Sequence, residues 1–474
     1  MARPLAVTRP ALLSAADLEA IETAAYRILA ETGIRVGDDE PRARLAKAGF
    51  RVSGDRVFVD IPAARAFVNE TRGKDSGPAP AAPGGEFTLH VSPYPPFRHD
   101  PGTDRIEPFT MATLAEAVKL LDVLADRGVC TSPCGQPSDV PPGVQAVGAY
   151  WTAATYSRQG RPAVDAKTEE AIPFVMEMGA ILGEPVEGLP VYMFSPLNLE
   201  GESFRIVLKY RDRLKSVSVG GMPAPGQSAP VRVGDAFAMA AAEAIGGGMM
   251  VRELVKLPVH WYVNIFPADL KAMAMAFGSP ENYLFHLYSA EVNAYLHGRP
   301  WEQSAYNLHT NAKLPGPQAC AERASLMTMG ALLGARYFEG GGTLSLDEVH
   351  SPEQLLYDLE ILDHVRRLAA PTDTGCDPGR AAADLAEGVR DHGFAGLEST
   401  GDLHRSVYWH PRLFDRDFLT GWRARGEKTI RDSARAMLRD LRGRHSFRLP
   451  DREQKAIDAV LARATGGKIT RDHG

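Results

Sequence analysis

The feature that most restricts the fold is a rhythm: from Thr110 to about Ala436, short apolar runs alternate with segments that carry the 3.6-residue period of an amphipathic helix. Six runs read as strands, at residues 129–132, 162–166, 190–195, 216–221, 258–266 and 335–340. Two weaker stretches, 302–308 and 393–398, complete a set of eight. The helices between them carry start signals: Thr113 with Glu116, Thr168 before Glu169, and Ser351 with Pro352 and Gln354. Eight strand–helix units in about 330 residues predict an α/β fold, the (β/α)8 TIM barrel, whose usual size is near 250 residues with insertions above that. A doubly wound open sheet is the alternative.

The first 72 residues read as a separate helical cap with a β-hairpin. Ser14 and Asp17 open a helix at Ala15 that shows Leu18, Ile21, Ala25, Ile28 and Leu29 on one face, and Gly33 stops it. A short helix fits 41–48, a hairpin around Gly54 fits 50–61, and a third helix fits 62–70. Residues 73–109 then read as a Pro/Ala/Gly-rich linker and entry segment, 110–440 as the barrel, and 441–474 as a helical tail. The triplet at 246–248, all glycine, reads as a flexible helix end.

Strand side chains alternate, and in a barrel the outward set must be apolar to meet the helices. On the strand at 258–266, Val259, Trp261, Val263 and Ile265 form that set, leaving His260, Tyr262, Asn264 and Phe266 to point inward. Likewise Val217 and Val219 face helices while Ser216, Ser218 and Gly220 face inward, and Asp165 and Glu339 stand at polar positions near strand ends. Barrel chemistry belongs at the C-terminal mouth.

A net charge of -6 gives no reason to expect nucleic acid or an anionic membrane as partner. No run approaches the roughly 18 apolar residues of a membrane span, and Arg3, Pro4, Arg9 and Pro10 interrupt the start, so a cytoplasmic location is expected. Of the 4 cysteines, Cys130 and Cys134 are the pair near each other in sequence, and buried thiols fit them better than a metal site. There is no G-x-x-x-x-G-K-[ST], no G-x-G-x-x-G after a strand, no G-x-S-x-G and no H-E-x-x-H. The 13 histidines never fall as H-x-H, which disfavours a metal hydrolase. No bound metal is expected, and D-x-H-x-x-G, a cobalt-ligating pattern, is missing.

Several blocks together resemble the trimethylamine methyltransferase family, in that family's order: LSAADLEAIETAAYRILAETGIRV from Leu13, FSPLNLEG from Phe194, GGMPAPGQSAPV from Gly220, FGSPENYL from Phe277, HTNAKLPGPQACAE from His309 and ARYFEGGGTLSLDEVHSPEQLLYDLEIL from Ala335. The resemblance implies a (β/α)8 barrel, a methylated amine as substrate, and as acceptor the corrinoid (cobalamin) of a separate partner protein, with none bound covalently by this chain. A homo-oligomer is the expected state. The chain departs from the family in two respects. It contains only standard residues where archaeal members acting on trimethylamine carry pyrrolysine, which points to a quaternary, betaine-like amine. Where T-D-A-K-x-x-D-x-Q is expected, it reads Thr310, Asn311, Ala312, Lys313, Gly316 and Gln318, two carboxylates short.

A quaternary ammonium leaves as a neutral amine when a cobalt(I) nucleophile takes its methyl group, so no general acid is needed. The protein must hold the cation, aim one methyl at the mouth and exclude water. Aromatic faces suit this, each contributing roughly 0.5 to 2 kcal/mol. The candidates are Phe194, Tyr262, Phe266 and Tyr306 for the cage, with Glu339 balancing the charge and Asn264 beside them; Glu339 and Tyr306 are placed nearest the reacting group. His309, Lys313 and Gln318 are candidates for a polar tail on the substrate. Two other readings stay open: a demethylase of an O- or S-methyl donor, and a barrel that binds a betaine without reacting.

Overall fold

The computed structural model describes residues 7, 9–73, 86–159, 168–300 and 305–469, the side chains of 305 and 306 excepted. The chain opens with α1 (Ala15–Glu31), β1 (Ile34–Val36), α2 (Asp39–Lys47), β2 (Arg51–Ser53), β3 (Arg56–Phe58) and α3 (Ile61–Thr71). Then come β4 (Thr88–His90), β5 (Phe97–Asp100), β6 (Arg105–Pro108), α4 (Met111–Val123), α5 (Gln145–Tyr156), α6 (Ile172–Ile181), β7 (Gly188–Met193), β8 (Asn198–Leu199), α7 (Glu202–Tyr210) and β9 (Ser216–Gly221). The middle runs through α8 (Val233–Val255), β10 (Val259–Trp261), β11 (Ala268–Asp269), β12 (Ala274–Met275), α9 (Pro280–His297), β13 (Ala305–Asn307), α10 (Pro317–Leu332), β14 (Tyr337–Glu339), β15 (Thr343–Leu344) and β16 (Val349–His350). The chain ends with α11 (Pro352–Ala369), α12 (Pro378–Arg390), α13 (Glu398–Val407), α14 (Leu419–Ala424), α15 (Ile430–Arg442) and α16 (Asp451–Ala464).

The architecture is α/β, with two three-stranded parallel arcs, β7–β9–β10 and β13–β14–β4. Val129 extends the second arc through a parallel bridge to Leu89. Closure of the arcs into one ring is not seen among the described residues, and the strand expected at 162–166, with Asp165, lies outside them. Five of the expected strands appear, most of them shortened to their paired centres. The one at 129–132 is reduced to bridges, and the one at 393–398 is absent: the chain there turns and enters α13. Its place beside β14 is taken by β4, which lies inside the segment expected to be a linker.

Each arc has its own apolar core. The first joins Leu29, Ile34, Val57 and Phe67 of the opening unit to Val191, Val217 and Trp261 of the strands without a break. The second joins Leu89 and Phe338 to residues of α4, α10, α11 and α15. The opening unit is therefore not an independent domain. Its hairpin sheet, β2–β3–β1, accepts β8 in parallel, and Arg35 ion-pairs with Glu200 at 2.6 Å just beyond that strand. The capping box at Ser14 and Asp17 starts α1 as the sequence predicts. The three glycines at 246–248 are not a flexible end but the buried middle of α8. A Cβ at Gly246 would stand 2.4 Å from Leu29 and one at Gly247 would stand 2.6 Å from Met193, so their absence lets α8 lie tight between α1 and the sheet.

The second arc is held at its carboxyl ends by one fully buried ion pair, Arg323 of α10 with Asp358 of α11. Arg323 Nε donates to Leu308 O at 3.0 Å, and Nη2 donates to Gly340 O at 3.1 Å and to Thr343 O. Asp358 accepts from Gly342 N at 2.7 Å and from Gln354 Nε2 at 2.8 Å. A planar fork with several fixed donors can meet three carbonyls and a carboxylate at once, which a lysine cannot. Removing one partner of such a pair leaves an uncompensated buried charge, so Arg323→Met is expected to destabilise the protein by about 3–5 kcal/mol in urea unfolding. Arg323→Met combined with Asp358→Leu should cost less than Arg323→Met alone; a double variant no more stable than the single one would refute this account.

Candidate active site

On β7, β9 and β10 the apolar residues turn to the helices: Val191, Met193, Val217, Val219 and Trp261 are all buried. The alternate positions face the other side, as the sequence predicts for Tyr262 and Asn264, both half-buried. The Tyr262 ring lies across Gly220, where a Cβ would stand 2.5 Å from the ring. Beyond Trp261 the strand ladder stops, and the side chain of Asn293 on α9 replaces it, accepting from Val263 N at 2.9 Å and donating to Val263 O at 2.7 Å. This substitute pairing keeps Tyr262 and Asn264 in strand alternation. Phe266 differs from expectation: it is buried edge-on against Phe277 (5.6 Å between ring centres) and His286 (6.2 Å), so it packs rather than lining an open wall.

On the second arc Phe338 is buried beside Phe87, while Tyr337 and Glu339 take the opposite face. Register places His90 opposite Glu339, and the His90 ring stacks on Tyr337 at 3.7 Å. Burial lowers the His90 pKa to about 4, so the imidazole is neutral near pH 7. Burial first, then the Glu339 carboxylate, pushes the Tyr337 phenol upward. The same register sets Asn307, not Tyr306, opposite Glu339; Tyr306 is opposite Phe338, and its side chain lies outside the described residues.

A cavity of about 720 Å3 opens at the carboxyl ends of β7 and β9, between these strands and the loops that follow β4 and β14. Tyr94, Tyr192, Gln136 and Met222 line it, together with Asp347 and Glu348. No lysine or arginine is among its described lining residues. Tyr192 was legible in the sequence, because it alternates with Val191 and Met193; Tyr94 and Asp347 carry no such signal. Asp347 links the cavity to the residues singled out beforehand: His309 Nε2 lies 3.1 Å from Asp347 Oδ1, and Ser92 Oγ donates to the same oxygen at 2.5 Å. The other imidazole nitrogen meets Asn307 Oδ1. Phe277, 5.8 Å from His309, connects that ring to Phe266.

Three expected contacts fall elsewhere. Phe194 is 52% exposed and covers Gly201, where a Cβ would touch its ring at 2.6 Å. Lys313 reaches Ser345 Oγ at 2.8 Å from an exposed position, and Gln318 is exposed on α10, donating to Glu322 Oε1 at 2.9 Å. Asn311, standing where a carboxylate was expected, both donates to Met275 O at 2.8 Å and accepts from Gly278 N at 3.4 Å. An aspartate cannot donate, so the amide suits this loop. Gly316 at φ 150 precedes α10 in a conformation that a side chain would strain. Cys134 is buried and Cys130 half-buried, with burial raising both thiols; neither is disulfide-bonded. Among the described residues no cluster of histidine, cysteine, aspartate or glutamate could hold a metal ion.

Parallel strands with an anionic, aromatic cavity at their carboxyl ends are the kind of place where α/β enzymes bind small ligands. The family model for trimethylamine methyltransferase (MTTB) matches residues 3–466, and the chain belongs to that family, a family of methyltransferases. Trimethylamine methyltransferase MttB1 of Methanosarcina mazei is 24% identical over 474 residues, covering 96% of this chain and 95% of that one. MttB of Methanosarcina barkeri strain Fusaro is 25% identical over 283 residues, 59% of this chain and 56% of the other. The crystal structure of the Methanosarcina barkeri monomethylamine methyltransferase MtmB aligns with a TM-score of 0.44 at 11% identity, covering 91% of this chain and 88% of that one. Among the described helices none is long and apolar enough to cross a membrane.

One buried carboxyl braces the chain where β7 ends. Glu243 of α8 accepts from Ser195 Oγ at 2.8 Å and from Leu197 N at 2.7 Å, fixing the turn that follows β7. Burial raises its pKa from 4.5 to about 7, against the lowering effect of those two hydrogen bonds. Between these values the folded protein holds a proton that the unfolded chain releases, so stability falls as pH rises through the window, by up to about 3 kcal/mol. Glu243→Gln should flatten this dependence, seen as equal urea midpoints at pH 5 and pH 8; a variant that keeps the wild-type slope would show that the titrating group lies elsewhere.

Proposed function

We propose that the protein moves a methyl group from a quaternary or tertiary methylamine, betaine-like in character, to the cobalt(I) of a corrinoid carried by a separate protein. The observation that carries the reading is the cavity at the strand ends, in which Tyr94 and Tyr192 stand with Asp347 and Glu348 and no described lining residue is basic. Such a site favours a cation that has methyl groups in place of N–H donors: the rings meet the methyls, and the carboxylates balance the charge from a distance. A neutral O- or S-methyl donor makes no use of these carboxylates. Inactive betaine binding would use the same walls, and activity separates the two.

The closed (β/α)8 barrel belongs to this reading. It is supported by the pairing of β4 with β14, the first and last strands of the parallel set, which an open doubly wound sheet does not bring together. The cavity fits a small amine. The corrinoid would therefore meet the rim from outside, facing the loops that carry Tyr94 and Leu346. Bound there, it supplies the nucleophile that takes the methyl group. The chain's own part is to bind the donor, hold one methyl toward the opening and keep water from the others. In this reading Glu339 and Asn307, paired across β14 and β13, and Tyr262 and Asn264 of the first arc serve the donor's tail, with Tyr306 beside the reacting group, and His309 acts by fixing Asp347. Positive charge on nitrogen fades toward the transition state, so the carboxylates are better placed near the cation than touching it.

The test is to mix the purified chain with reduced cobalamin and a panel of N-methyl compounds and follow the cobalt(I) absorbance. Consumption with betaines or related quaternary amines is expected, and persistence of the band with every N-methyl donor would refute the reading. Tyr192→Ala should lower kcat/KM by roughly 10-fold, in line with the loss of one ring against a cation. Asp347→Asn should raise KM for a charged donor by a similar factor while leaving a neutral methoxy compound unaffected.

A further inference from the structure

We infer that residues 378–424 form an interface with a second copy of this chain. Helices α12, α13 and α14 have almost no interior of their own: Gly388 is the one buried residue in α12, and neither α13 nor α14 has any. None of the three packs extensively on another described element. Yet α12 and α13 are amphipathic, and their large apolar side chains face solvent, with Leu385 57%, Val389 64% and Leu403 52% exposed. Farther along, Tyr408 is 64% and Phe418 86% exposed. Helices this short are marginal in water without a surface to pack against, and contiguous exposed apolar area of this kind marks a site of association.

The segment is anchored at its root. Glu360 of α11, itself buried, accepts from the backbone N–H groups of Arg412, Leu413 and Phe414 at 2.8, 2.9 and 3.3 Å. Beside that root lies a crevice of about 1040 Å3 whose lining mixes Pro411, Phe414, Trp422 and Ile430 with Arg412, Arg416 and Lys428 and the carboxylates Asp415 and Asp417. Arg425, also in that lining, is occupied by Asp415 and Asp417.

Charge selects the occupant. From Asp373 to Asp402 the chain carries 7 carboxylates against 2 arginines, and from Leu403 to Lys428 it carries 6 basic residues against 3 acidic ones. The acidic half contains α12, an amphipathic helix with Leu385 and Val389 between Asp384, Glu387 and Asp391; the basic half contains the crevice. A helix with an apolar stripe and acidic flanks suits a crevice that has apolar walls and is lined by four basic residues, Arg412, Arg416, Arg425 and Lys428, against two carboxylates, Asp415 and Asp417. In a two-fold arrangement each copy offers both, so α12 of one fills the crevice of the other twice over. The inference is independent of the methyl-transfer reading.

Sedimentation velocity on the full chain tests it, with two charge-reversed variants made alongside: Asp384→Arg with Glu387→Arg, and Arg416→Glu with Lys428→Glu. The wild type is expected to be at least a dimer. Each variant alone should dissociate, with Kd raised at least 100-fold, and an equimolar mixture of the two should reassociate, because both contacts then join opposite charges. The substitutions are at the surface, so thermal melting of the separated variants should show the fold intact. A monomeric wild type would overturn the proposal, whether or not another protein binds the segment. So would variants that self-associate as tightly as the wild type, or a mixture that fails to recombine.

Discussion

Much of the second arc hangs on the guanidinium of Arg323. Burying a charge is expensive, and this one is stabilised only because Asp358 and three backbone carbonyls surround it. Two of those carbonyls, of Leu308 and Gly340, belong to the residues where β13 and β14 give way to loops, and the third, of Thr343, opens β15, so the ion pair fixes where two strands end and where the loops that carry His309 and Asp347 begin. Helices α10 and α11 are thereby joined to the floor of the site as well as to each other. A well-packed apolar pair would fill the same volume, but it would leave the carbonyls without donors and the strand ends without a common reference.

How much of this was legible in the sequence depends on whether an element owes its form to its own residues or to a partner. β9 was found residue for residue because valine and serine alternate through it, and α1 because its cap and its apolar stripe are both local. β4 was missed: three residues in a stretch rich in proline and aromatics make a strand only through their pairing with β14 and the bridge to Val129. The expected strand at 393–398 was weak in composition and has no strand to pair with among the described residues, and its backbone turns instead. The glycines at 246–248 show the same limit from the other side. Read locally they loosen a helix; in place they let it approach three neighbours closely.

The site divides along the same line. Alternation put Tyr262, Asn264 and Glu339 on the faces opposite the buried apolar set, where the structure has them, and the same rule applied to β7 would have given Tyr192. Loop residues obey no period, so Tyr94, Asp347 and Glu348 were invisible, and Phe194 and Gln318 lie exposed outside the cavity's described lining, because a strand end or a motif position says little about where a side chain turns. Asn311 is the instructive exception. As a departure from a pattern it suggested a changed loop, and its hydrogen bonds to Met275 and Gly278 show one that uses an amide in both directions.

The adjacency of β4 and β14 has a consequence for how the chain comes off the ribosome. The first apolar core needs only the opening unit and residues to about 300, apart from the contribution of α16, so most of it can assemble while synthesis continues. The second cannot: Leu89 must wait for Phe338, roughly 250 residues later, which at 5–20 residues per second is a delay of some 12 to 50 seconds. During that interval the residues that will become β4 lack their partner, and their small number, with Pro93, Pro95 and Pro96 close behind, leaves little for a stranger to pair with.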